Sequence, residues 1–96
     1  MQLLRVFKSP NPEKKLRAIF LLDNGRKKRT DFGAAGMDDY TLTKSKEQRE
    51  RYQTRHASDL KTDDPTRAGY LAYYILWGPF TSIRSNVRAF KTKFNL

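Results

Sequence analysis

The sequence predicts an α+β fold: a three-stranded antiparallel meander followed by three helices, the second helix central. Three observations predict it. Apolar residues alternate with a period of two only in the first third of the chain. An Asp23-Asn24-Gly25 turn signal follows the clearest such run. Beyond Ser45 the apolar spacing changes to three and four residues, interrupted by a corner at Gly78-Pro79. Ninety-six residues suffice for one domain with one core, with a β-rich part over 1–36 and a helical part over 44–96.

The first strand is expected over Leu3 to Lys8, ended by Ser9-Pro10-Asn11-Pro12, because each proline fixes its φ and lacks a ladder donor. The second runs from Lys15 to Leu22. Leu16, Ala18, Phe20 and Leu22 share one face; Arg17, Ile19 and Leu21 share the other. A strand apolar on both faces belongs in the middle of its sheet. The hairpin turn uses the tolerance of Asn24 and Gly25 for positive φ. The return strand, Arg26 to Phe32, is charged, as suits an edge. Such a meander needs a helical cover to be stable.

Residues Gly33 to Asp39 read as a break, and Tyr40-Thr41-Leu42 as a short extended segment. Ser45 with Gln48 fits a capping box, opening a helix from about Lys46 to Ala57 in which Glu47 and Arg51 are favourably spaced. Ser58 to Asp63 reads as polar linker. Asp64 as N-cap and Pro65 as first helical residue open the central helix, which runs to Trp77. Ala68, Leu71, Ala72, Ile75 and Leu76 follow the helical period, and Tyr70, Tyr73, Tyr74 and Trp77 cover most of the remainder. Gly78 suits a left-handed cap, and Pro79 prevents continuation. Thr81 or Ser82 caps the last helix, whose apolar face is Ile83, Val87, Phe90 and Phe94.

Twenty Lys and Arg oppose ten Asp and Glu, a formal charge of +10. Residues 1–36 carry net +6, residues 37–66 net −1 and residues 67–96 net +5. A chain this basic attracts polyanions or acidic neighbours. The absence of cysteine excludes disulfides, thiolate metal sites and a cysteine nucleophile. The first residues lack the apolar core of a signal peptide, and the longest apolar run, Tyr70 to Trp77, is too short to span a bilayer. The expectation is a cytosolic, nuclear or virion-internal protein, neither secreted nor transmembrane.

The densest positive run is Arg26-Lys27-Lys28-Arg29; a second basic strip is Arg84, Arg88 and Lys91, with Lys93 nearby. Both could grip phosphates, and the competing expectation is a solvated face. No module that reads base edges is present, so any nucleic-acid binding is expected to be backbone-driven. The aromatic set at helical spacing could stack on bases, but a domain this small needs it as core. The Phe32–Gly36 loop lacks a phosphate-cradling lysine and the dinucleotide glycine spacing, and is expected to be a tight reversal. The pairs Asp38-Asp39 and Asp63-Asp64 show no calcium-loop pattern. His56, the single histidine, has no sequence-identifiable partner; an enzyme reading requires finding it in a cleft beside a carboxylate. No catalytic residue, metal site, cofactor or small-molecule substrate is expected.

The stretch from Thr30 to Ala57, followed by residues 63–78 and a terminal helix, resembles a family of small basic proteins encoded by large DNA viruses of algae and amoebae. The residues that carry the resemblance are Phe32, Gly33, Gly36, Asp39, Tyr40, Thr41, Arg51, Tyr52, Arg55, His56, Ala68, Gly69, Leu76 and Trp77. It covers about residues 15–94. Asp31 departs from it, standing where that pattern often has histidine. The resemblance implies a viral or algal origin and a role in the virion or in handling viral DNA, and it carries over no biochemical activity. The expected function is non-enzymatic: binding of nucleic acid through backbone phosphates by Arg26–Arg29 and the Arg84, Arg88, Lys91, Lys93 strip. The alternative is a minor capsid or virion-internal component set against acidic virion proteins.

Overall fold

The computed structural model describes residues 1–96. Three antiparallel strands, β1 (Gln2–Lys8), β2 (Lys14–Leu21) and β3 (Lys27–Ala34), form a sheet in sequence order with β2 in the middle, followed by helices, as an α+β chain. The β2–β3 hairpin turns as expected, but only Gly25 takes positive φ (+83°). Asn24 instead accepts the Arg26 N–H through its side-chain oxygen at 2.9 Å. On the covered face, Ala18, Phe20 and Phe32 are fully buried.

Strand β1 contains a feature with no local signature in the sequence. Its register against β2 slips between Leu3 and Arg5, so that Leu3 pairs with Phe20 and Arg5 with Ile19. The extra residue, Leu4, is a bulge. Because side chains alternate, one inserted residue reverses the facing of everything beyond it. Leu3 and Val6 therefore face the core, while Arg5 and Phe7 stand opposite Ile19 and Arg17 on the other face.

The helices α1 (Tyr40–Thr43), α2 (Lys46–His56), α3 (Ala68–Leu71) and α4 (Ile83–Phe94) lie on one side of the sheet. Residues 40–43, expected to be extended, are a helical turn, because Asp39 accepts the Thr41 N–H at 2.8 Å. Ser45 caps α2 as expected, but the Ser45 N–H goes to Thr43, so the reciprocal half of the capping box is not made. The expected linker is a 3-10 helix, Ala57–Thr62.

The central helix begins later than expected, at Ala68. Asp64 is not its cap. It accepts from the Thr66 N–H at 2.9 Å and the Thr66 hydroxyl at 2.6 Å, and closes a turn. That turn is docked on β3: Thr30 donates to the Thr66 carbonyl and Lys28 to its hydroxyl, both at 2.8 Å. From Ala72 to Leu76 the helix widens to a π-turn, with the Trp77 N–H reaching the Ala72 carbonyl at 3.0 Å. Leu71, Ile75, Leu76 and Trp77 meet Phe20, Phe32 and Phe90 in the core. Tyr70 is buried too, while Tyr73 and Tyr74 are half-buried.

The Gly78 corner is not a left-handed cap, since its φ is not positive. A Cβ there would lie 2.1 Å from the Tyr74 carbonyl oxygen and 2.8 Å from the Asn86 side chain. Close approach, not conformational freedom, requires glycine. Asn86, fully buried on α4, ties the corner together. Its amide donates to the carbonyls of Ile75 and Phe80, both at 2.8 Å, and its oxygen accepts the Phe80 N–H at 2.9 Å. Ser82 caps α4 as expected.

Candidate nucleic-acid interface and a cleft beside His56

The helices cover one face of the sheet and leave the other open. Reading across β1, β2 and β3, the open face carries Arg5–Ile19–Arg29, then Phe7–Arg17–Asp31, with Leu21 and Lys27 paired beyond. Arg5, Lys27 and Arg29 are exposed; Phe7, Ile19 and Leu21 are half-exposed. The Arg5 guanidinium lies 4.6 Å from the Phe7 ring centre. Arg17 makes a two-pronged bond to Asp31, at 2.6 and 3.0 Å. That bond, with a smaller effect from the positive charge itself, holds the Asp31 carboxyl below its usual range against partial desolvation. Arg5, Lys27 and Arg29 form no ion pair. The face is an apolar strip bordered by three unpaired cations.

The Arg26–Arg29 run therefore does not act as one patch. Lys27 and Arg29 point outward, Lys28 turns inward to Thr66, and Arg26 sits exposed at the hairpin. The terminal strip divides as well. Arg84, Arg88 and Lys91 are spaced to share one side of α4. Lys93 lies half a turn away, with its ammonium 5.8 Å from the Tyr74 ring centre, beside a groove shared with Arg49 and Gln53. Since α4 belongs to the helical layer, its strip and the pair Lys27 and Arg29 lie on opposite sides of the sheet. The structure does not merge the two basic ends of the sequence into one face. Arg5 and Phe7 carry no sequence signal for this face, because the Leu4 bulge decides which way they point, whereas Arg17 lies on the face that the alternation of β2 gives it.

The acidic pairs do not assemble. Asp39 is buried, bonded to Lys15 at 2.6 Å while capping α1, and Asp64 is bonded to Thr66. No group of three or more His, Cys, Asp and Glu is placed to hold a metal.

His56 has the setting that the sequence could not reveal. It lines a cleft of about 680 Å³ between the loop after β3, α2 and the start of α3. Its Nδ1 lies 2.9 Å from a carboxylate oxygen of Asp59. Its ring stacks on Tyr52 at 4.1 Å, and Tyr52 stacks on Trp77 at 4.4 Å and 8°. Two parallel partners at such distances must occupy opposite faces of Tyr52. Burial, with the nearby Asp59 charge adding, pushes the Tyr52 phenol up to about 12. Two glycines shape the walls. Gly33 (φ +79°) has no room for a Cβ, which would meet Leu76 at 2.6 Å, and a Cβ on Gly69 would meet Asp59 at 3.0 Å.

No helix is long and apolar enough to cross a membrane. No curated protein and no solved structure matches the chain. Residues 4–56, which span almost all of the sheet, α1 and α2, match a family of unknown function, DUF5754, and the chain belongs to that family.

Proposed function

We propose that the open face of the sheet binds single-stranded nucleic acid without sequence preference, as a binding module and not an enzyme: His56 does meet the Asp59 carboxylate in a cleft, but the cleft is lined by no Ser, Thr or Cys that the pair could activate. The observation that carries this reading is the uncovered sheet face with Arg5, Lys27 and Arg29 unpaired around Phe7, Ile19 and Leu21. Cations on an apolar strip suit a strand whose phosphates are neutralised while a base takes the place of the Arg5 guanidinium over the Phe7 ring. The Arg17–Asp31 bond fixes a further guanidinium at the centre of the face. The resemblance to small basic proteins of large DNA viruses fits a viral nucleic acid as the partner.

The same charge supports a second reading, in which this face meets an acidic protein neighbour in a virion. The Phe7 ring distinguishes them. Phe7→Ser should weaken binding to an oligonucleotide by about tenfold, the low end of a base–aromatic stack. It should leave binding to polyglutamate unchanged. Equal losses with both polymers, or none with either, would remove the single-strand reading.

A further inference from the structure

We infer that the cleft beside His56 is a nucleotide site, separate from the sheet face, in which a base stacks on the His56 ring and a phosphate is held by Arg55. Trp77, Tyr52 and His56 form a continuous stack that ends at the imidazole, whose side chain is 41% exposed. A fourth flat ring placed there extends the column. The Asp59 carboxylate fixes the orientation of the imidazole through Nδ1, and no protein group bonds Nε2. Nε2 is therefore available to the ligand. Arg55, one residue before His56 on the same helix, lines the cleft, is exposed and has no ion-pair partner. Its guanidinium suits a phosphate geometrically and electrostatically. Gln48, also in the lining, can donate to and accept from a base edge.

The volume agrees with this ligand class. A cleft of about 680 Å³ lies within the range of small-molecule sites. The π-turn Ala72–Leu76 contributes Ala72 and Leu76 to the wall, and such local widening occurs often at functional sites. The chemistry fits a free mononucleotide or one nucleotide of a strand equally, and the sheet-face proposal plays no part in the argument.

The test is a titration of the full chain with adenosine 5′-monophosphate, adenosine, ribose 5-phosphate and a short single-stranded oligonucleotide. Two readouts are used: the NMR resonances of the single His56 ring and the fluorescence of the single tryptophan, Trp77. The nucleotide should shift both. Ribose 5-phosphate should bind at least about tenfold more weakly, since it has no ring to stack. Arg55→Gln should reduce the affinity for the monophosphate to that for adenosine. His56→Ala, checked for an intact fold by circular dichroism, should weaken both by about tenfold. The double variant Lys27→Gln/Arg29→Gln should leave the monophosphate and adenosine titrations unchanged, so the cleft and the sheet face fail or succeed independently. Shifts with the monophosphate identify a free nucleotide as the ligand; shifts with the oligonucleotide alone identify a nucleotide within a strand. No shift with either at millimolar concentration would overturn the proposal. So would unchanged monophosphate binding by both Arg55→Gln and His56→Ala.

Discussion

Replacing Asn86 by alanine should be among the most damaging single changes in this chain. Asn86 is fully buried and makes three hydrogen bonds, one to the Ile75 carbonyl and two to the Phe80 backbone. Ile75 is itself fully buried, so its carbonyl would lose its partner with little access to water, at about 1–3 kcal/mol. Phe80 is half exposed and its backbone can be rehydrated, so its two bonds represent about 1 kcal/mol each. The total is about 3–5 kcal/mol, against about 5–15 kcal/mol for a whole domain. At about 4–8 °C per kcal/mol, the melting temperature should fall by at least about 12 °C. Urea unfolding followed by circular dichroism measures this. Ser85→Ala, at an exposed neighbour whose side chain bonds nothing, serves as control and should stay within about 0.5 kcal/mol of the parent. If Asn86→Ala stayed within that margin, the corner would not depend on Asn86, and the account of how α4 is held would fail.

Three further predictions concern stability. Asp39→Ala leaves the partly buried Lys15 ammonium without its carboxylate and removes the α1 cap, and should cost about 3–5 kcal/mol in the same assay. Tyr52 should keep its proton until about pH 12 in a tyrosinate absorbance titration. Because its folded pKa lies above the unfolded value of 10.0, its contribution is intact below pH 10 and is lost as pH rises toward 12; Tyr52→Phe should flatten that alkaline limb. Asp31 has a folded pKa below its usual 3.8, so its contribution is present above that value and is lost as pH falls through the lower one. Asp31→Asn should therefore flatten the acid limb of the stability profile.

What was legible in the sequence was local. The alternation in Lys15–Leu22, the Asn24-Gly25 turn and the Ser45 and Ser82 caps each depend on residues within a few positions, and each occurs where expected. Asp39 before Tyr40 is a local signal of the same kind, and its cap makes a helical turn of a segment whose residue types suggest extended chain. The Leu4 bulge and the Ala72–Leu76 π-turn have no distinctive residue such as glycine or proline to mark them. The candidate site was legible only in part. That Lys27 and Arg29 would separate from Lys28 follows from strand alternation alone. That Arg5 and Phe7 would join them does not, because it needs the bulge. The pairing of His56 with Asp59 spans a helix end, and the cleft around it needs Gly33 and Gly69 brought from distant parts of the chain.

The central claim is that the open sheet face is the nucleic-acid interface. It is tested most directly by the salt dependence of oligonucleotide binding, comparing the parent with the triple variant Arg5→Gln/Lys27→Gln/Arg29→Gln. Three cations on a single strand predict a slope of log affinity against log salt of about −2 for the parent. In the variant the slope should approach zero, with an unchanged melting temperature. A parent that does not bind at low ionic strength would contradict the account. So would a variant that binds like the parent while Arg84→Gln/Arg88→Gln/Lys91→Gln does not.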